Sequence, residues 1–225
     1  YLSLVKPKYA VVTRISYAHS EFLGDIDEIL DEKGKLIEKL PKNGVAILNY
    51  DDIYSKKLAT ICKGQVYYFG LDPQNCTVWA GNIKIENFKT IFELNLGVER
   101  VQIRYQLLGE HQIYSALAAA TLGVVLGIPL TKIKFALESI APSPHRFQVL
   151  PGPFGSMIID DTYNSSPQAV EAAIDTLIKI PAKRKVAVLG EMRELGKYSE
   201  KLHRDIAQKI YKEKIYGNIW EKTNL

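Results

Sequence analysis

Two short apolar runs, "YAVVT" (9–13) and "VAILN" (45–49), flank a stretch whose apolar residues recur at helical spacing. Ile26, Ile29, Leu30, Ile37 and Leu40 share one face of a helix expected from about Asp25 to Leu40. Strand, helix and strand in that order form a βαβ unit, which implies parallel strands joined by a right-handed crossover. The same alternation returns near the end of the chain. A strand is expected at 156–161, a helix at about 167–179, a strand at 185–189 and a last helix from Ser199.

The middle of the chain reads differently. Between residues 64 and 108, "QVYYFG", "CTVWAG" and "VQIRYQLLG" are separated by Gly, Asn and Pro, which predicts an antiparallel subsheet. Residues 113–128 are apolar nearly all round, as in a buried helix, and a second helix is expected from a Thr131 cap to Ile140. "APSP" (141–144) then breaks the pattern and divides the chain into units 1–141 and 142–225. The fold class is therefore α/β: a parallel-sheet domain with an antiparallel subsheet, followed by part of a Rossmann-like domain. The chain opens almost directly into a strand and closes on "NIWEKTNL" with no terminal element expected, so it reads as a piece of a longer protein.

Composition narrows the function. With 47% hydrophobic and 24% charged residues the chain is globular, and a net charge of +4 spread over helix faces does not point to nucleic acid. No run approaches the ~18 apolar residues of a membrane span, and the start lacks the layout of a signal peptide. Cys62 and Cys76 are isolated in sequence, so reduced thiols and a cytoplasmic location are expected and a zinc site is not.

Chemistry concentrates where strands end. "DDTYNSSPQA" (160–169) follows the apolar run Met157–Ile159 and leads into a helix with Pro167 at or near its first position and Ser165 or Ser166 as cap. In open α/β sheets ligands bind beyond the carboxyl ends of parallel strands, and a carboxylate beside a helix start suits a ribose hydroxyl. Asp160 and Asp161 stand there, and Glu191 follows the next strand. The same residues would also serve a simple turn and cap.

Lys33 falls within the apolar stripe of its helix. Such a lysine commonly snorkels, but an ammonium in an apolar setting loses its proton easily, and the neutral amine can add carbon dioxide to become a carbamate, a ligand suited to Mg²⁺. His19, in the loop after the first strand, is either surface decoration or a ligand. His111 could cap its helix or contact a base, and Arg146, just past the boundary, could reach a phosphate or make an interdomain ion pair. The phosphate-cradling GxxxxGK[ST] occurs nowhere: Gly34-Lys35 is followed by Leu36, and Gly196-Lys197 by Tyr198.

Five stretches in order carry a resemblance. They are "HSEFLGDIDEILDEKGKLIEKLPKNGVAILNYDD", "GEHQIYSALAAATLGVVLGIPL", "SPHRFQ", "IDDTYNSSPQAVEAAI" and "VLGEMRELGKYSEKLH". Together they resemble the Mur ligase family, ATP-dependent amide-forming enzymes of peptidoglycan synthesis. The resemblance implies ATP and Mg²⁺. It places His19 and Lys33, as a carbamate, at the ion and in the chemistry, and Arg146 on the ATP phosphates. It sets Asp161 on the ribose with Asp160, Tyr163 and Asn164 around the nucleotide, and His111 with Ser115 on the helix that holds adenine. Gln112 and Ser115 stand where the family has asparagines, Ser165-Ser166 where it has Ala-Asn, and Lys35 where it has Glu. The family's phosphate loop and UDP-sugar-binding domain would precede Tyr1.

"DDTYN" with "GEMRELG" resembles the branch that joins D-alanyl-D-alanine to a UDP-N-acetylmuramoyl peptide, which implies those partners and a cytoplasmic monomer. The rivals are a ligase adding the third stem residue, a folate polyglutamylating enzyme, and a non-catalytic nucleotide-binding module.

Overall fold

The structure, a computed structural model, describes residues 5–16 and 24–219. Strands β1 (Tyr9–Val12) and β2 (Val45–Asn49) pair in parallel with Tyr9 opposite Val45, and helix α1 (Ile26–Glu38) connects them. Asp25 starts the helix as expected from its sequence. Its carboxylate accepts the N–H groups of Asp27 and Glu28, while the Glu28 side chain accepts the Asp25 N–H. That reciprocal arrangement satisfies donors the helix itself leaves open.

Every residue of β2 is buried, which requires cover on both faces. Ala46 and Leu48 face Ile29, Leu30 and Ile37 of α1 and Leu58 of the short helix α2 (Ser55–Thr60). Val45 and Ile47 face the opposite core, built on helices α3 (Glu110–Val125) and α4 (Leu130–Glu138). Alternation along a strand thus sends one sequence into two hydrophobic layers. Thr131 lies inside α4; Pro129 occupies the cap position and no side chain caps it. Its fixed φ of −59° suits the extended backbone of a helix entrance.

The six-stranded sheet runs β1-β2-β3-β4-β5-β6. The expected antiparallel subsheet is smaller than the sequence suggested. Strand β3 (Gln65–Gly70) is parallel to β2, and β4 (Val78–Glu86) is parallel to β3 through two residue pairs, Phe69↔Val78 and Gly70↔Trp79. Antiparallel pairing begins only with β5 (Lys89–Leu96) and β6 (Glu99–Tyr105). Because β3 and β4 barely overlap, a short loop joins them where a full parallel crossover takes a dozen residues or more.

Beyond residue 144, β7 (Gln148–Pro151) and β8 (Met157–Asp160) form an antiparallel hairpin. Asp160 therefore closes a hairpin strand, and among the described residues β8 has no parallel partner. Met157 and Ile158, which open the apolar run before Asp160, are each 45% exposed. Helix α5 (Pro167–Lys179) follows, its N-terminus capped by the Ser166 hydroxyl, which accepts the Ala169 N–H. Strand β9 (Val186–Leu189), helix α6 (Ser199–Lys212) and strand β10 (Tyr216–Ile219) complete the chain's described part. β10 pairs in parallel with β9, a terminal element the sequence reading did not expect. Val170 and Ile174 of α5 pack on Ile206 and Ile210 of α6.

A separate cluster joins the two parts: buried Leu108, Phe147 and Ile180, with Ile85, Phe88, Val149, Ile159 and Ala173 against them. This cluster positions the site described next.

Candidate functional site

The carboxyl edge of β1, β2 and β3 is stitched by side chains that accept backbone N–H groups. Asp52 accepts from Ile15 at 2.5 Å and from Tyr54 at 2.9 Å; Asp51 accepts from Leu71 at 2.8 Å. Asn49 donates to the Thr13 carbonyl and accepts the Asp51 N–H. These residues escaped the sequence reading because their partners lie up to 37 positions away. The "NYDD" that follows "VAILN" was the available signal: an amide and two carboxylates directly after a buried strand have strand-end N–H groups within reach.

Lys33 reaches the same edge. Its Nζ donates to the Arg14 carbonyl at 3.2 Å, just past β1. The residue is half-buried but its amine's hydrogen bond is exposed, so the apolar setting expected from the stripe is replaced by a snorkelling tether. His19 lies outside the described residues. Among the described residues no three His, Cys, Asp or Glu side chains gather as a metal site.

His111 stands in the first turn of α3. Its ring packs edge-on against Phe147, with centroids 4.7 Å apart. Burial lowers its pKa from 6.5 to about 4, so the ring is neutral at pH 7. Its Nδ1 is buried without a hydrogen-bond partner, while Nε2 lies 3.1 Å from the Gln112 amide. The helix begins at Gly109, whose φ of +103° is closed to L side chains; a Cβ there would lie 2.6 Å from the His111 ring. Tyr114, one helical turn past the start, has its phenol pKa raised, first by burial and then by the charge of Asp51. That neighbourhood places the start of α3 over the end of β2. Ser115 is exposed on the same turn. A cleft of about 160 Å³ opens beside His111 and Tyr114, bounded across it by Asp175, Thr176 and Lys179 of α5. Lys179 bridges it to Glu110 at 2.5 Å.

The "SPHRF" and "DDTY" segments lie side by side. Asp161 is half-buried, and its Oδ1 accepts the Phe147 N–H at 3.0 Å. Burial raises its pKa, against the opposing pull of that N–H and of Arg146. Asp160 accepts from Thr162 and faces the His145 ring at 2.8 Å; these bonds lower its pKa. The Arg146 guanidinium sits 3.8 Å from the centre of the Tyr163 ring. Asn164 accepts the Ser165 N–H and is exposed.

One residue ties these groups together. Phe147 presses its ring on His111, gives its N–H to Asp161, and directly follows Arg146. The structure thus brings His111, Arg146, Asp161 and Tyr163 around Phe147. Lys33 is held elsewhere, at the end of β1.

Residues 1–123, more than half of the chain, match the Mur ligase middle domain. The chain belongs to the Mur ligase family. Residues 145–216 match the Mur ligase, glutamate ligase domain. The UDP-N-acetylmuramoyl-tripeptide–D-alanyl-D-alanine ligase of Escherichia coli (strain K12) is 32% identical over 208 residues, covering 92% of this chain and 46% of that protein. The Haemophilus influenzae ligase of the same name is 34% identical over 214 residues, covering 92% and 44%. Among solved structures, MurF from Acinetobacter baumannii superimposes with a TM-score of 0.86 at 27% identity, covering 94% of this chain and 46% of that one. MurF from Thermotoga maritima, solved in complex with ADP, gives 0.83 at 26% identity, covering 92% and 47%.

This Mur ligase chain spans about half the length of the curated relatives it matches. Its α/β fold, with a sheet dominated by parallel strands, is the fold of those MurF structures. No helix among the described residues is long and apolar enough to cross a membrane. Both cysteines are free, and burial, reinforced by Asp51, pushes the Cys76 thiol up to about 12, where it is inert.

Proposed function

We propose that this Mur ligase chain supplies the central and C-terminal parts of a cytoplasmic, monomeric enzyme that adds D-alanyl-D-alanine to a UDP-N-acetylmuramoyl tripeptide, with the boundary between units 1–141 and 142–225 at "APSP". The observation that carries the reading is the gathering of His111, Arg146 and Asp161 around Phe147, because it joins residues from both parts of the chain at one edge. Similarity to the two ligases of that name supports the substrates, and the ADP-bound relative supports a nucleotide.

In this reading ATP phosphorylates the terminal carboxylate of the tripeptide. The amine of the dipeptide attacks the acyl phosphate, forms the amide bond and expels phosphate. Arg146, a planar cation on an exposed aromatic, meets the phosphates. Asp161 offers its free oxygen to the ribose, since only Oδ1 is engaged by Phe147. His111 lies at the helix start assigned to adenine, with Ser115, Asp160, Tyr163 and Asn164 around the nucleotide. Mg²⁺, when bound, would offset the charge of the transferring phosphoryl group. Lys33, as a carbamate, and His19 are the residues assigned to it.

The test is phosphate release from ATP that requires both the UDP-muramoyl peptide and D-alanyl-D-alanine. A full-length ligase carrying this chain should show it. The 225-residue chain alone should not, because it contains no GxxxxGK[ST]. A full-length protein that binds ATP without substrate-dependent release would instead be a non-catalytic nucleotide-binding module.

Asp161→Asn separates a nucleotide role from a turn. Asn accepts the Phe147 N–H as well as Asp does, so the melting temperature without nucleotide should hardly move. A ribose contact would lose a charge-assisted bond, and the KM for ATP in the full-length ligase should rise about tenfold. A lower melting temperature with unchanged KM would make the carboxylate structural.

A further inference from the structure

The residues on either side of Arg146 hold a backbone conformation that L side chains rarely adopt, with φ of +62° at His145 and +55° at Phe147. Such positions persist only where the surroundings over-determine them. Phe147 is fixed by its buried ring and by the Asp161 carboxylate. His145 is fixed twice. Its carbonyl accepts the Tyr163 N–H at 3.1 Å, and its Nδ1 meets Asp160 Oδ2 at 2.8 Å. The other Asp160 oxygen is held by the Thr162 hydroxyl at 2.7 Å and its N–H at 3.1 Å, so the carboxylate is a rigid anchor. The Thr162 hydroxyl also lies 3.4 Å from the His145 ring.

These contacts alternate across two segments: 145 to 160, 147 to 161, and 145 to 163. Arg146 sits in the middle, and its side chain is exposed. A long exposed arginine samples many rotamers unless its backbone aims it. Here the turn directs it over Tyr163, with the guanidinium carbon 3.8 Å from the ring centre.

We propose that His145 is a positioning residue: clamped to Asp160, its ring holds the strained turn that keeps Arg146 stacked on Tyr163 and aimed at the nucleotide phosphates. The last clause rests on the assignment of Arg146 given above; the clamp does not.

Two substitutions separate the ring from the backbone. His145→Gly removes the ring while accepting positive φ freely. His145→Asn also tolerates positive φ and keeps a side-chain N–H at the same reach as Nδ1. The readout is the upfield shift of the Arg146 side-chain protons caused by the Tyr163 ring, measured by NMR on this chain and assigned by its disappearance in Tyr163→Leu. The shift should be lost in His145→Gly and kept in His145→Asn. In the full-length ligase, kcat/KM for ATP should fall about tenfold for Gly and less than about twofold for Asn. A Gly variant that keeps the shift overturns the proposal. Loss of the shift with unchanged kcat/KM upholds the clamp and overturns the phosphate role of Arg146 instead. Should the Gly variant not fold, Asp160→Ala leaves the backbone at 145 untouched and must abolish the same shift.

Discussion

Lowering the pH from 6.5 to about 4 should remove about 3 kcal/mol of folding stability through His111 alone. The folded ring resists protonation because it is packed under Phe147 and against Gly109, away from water. In the unfolded chain it takes up a proton at the ordinary value of 6.5, whereas in the folded chain it does so only near 4. Between those values the unfolded state binds more protons, so stability falls as the pH drops through the window. The loss is complete below about 4, where both states are charged. Replacing His111 with Gln removes the titration and keeps a polar side chain. Urea unfolding of both proteins at several pH values isolates the effect, because all other groups cancel in the difference. The wild type should lose about 3 kcal/mol more than His111→Gln between pH 6.5 and 4. Parallel curves would mean that the ring is hydrated and that the site edge is open even without ligand.

That site edge was only partly legible in the sequence, and the reason is physical. Helix α1 and helix α5 follow from local pattern: an apolar stripe, a capping acid or hydroxyl, and Pro167 at the first position. Strand β2 was readable because a run buried on both faces has no polar alternation to confuse it. Strand β3 misled, since its pairing partner depends on how far β4 overlaps it, and two residue pairs leave no local trace. Met157 and Ile158 misled for a related reason. Apolar content says what a strand could bury, and among the described residues β8 has only β7 beside it.

The site shows the same division. Arg146 and Asp161 stand out in the sequence as charged groups beside a break and a strand end. His145, between a proline and that arginine, gives no signal. Its role follows from Asp160, fifteen residues on, and from a positive φ set by contacts distant in sequence. Lys33 was located correctly but its surroundings were not. The stripe shows which face the helix turns inward, whereas the end of a flexible four-carbon side chain is free to reach past that face to the Arg14 carbonyl.

Lys33→Ala should lower turnover of the full-length ligase by about a hundredfold, while the melting temperature without ligands stays nearly unchanged. The second expectation follows from what Lys33 now holds: one exposed hydrogen bond to the Arg14 carbonyl, from a half-buried residue on a helix where alanine is at least as favourable. The first follows from its place. Its amine ends at the carboxyl edge of the parallel strands, where ligands bind in sheets of this kind. As an ammonium it repels a magnesium ion; as a carbamate it would present oxygens to one. Two measurements divide these states. Carbon-13-labelled bicarbonate should give a carbamate carbonyl signal in the full-length ligase that is missing from Lys33→Ala. Short-chain carboxylates added to the variant should restore part of the lost turnover, because they bring back the oxygens without the arm. Near-normal turnover of Lys33→Ala in bicarbonate-free buffer would reduce Lys33 to a tether between α1 and the end of β1, and the ion would then have to be held without it.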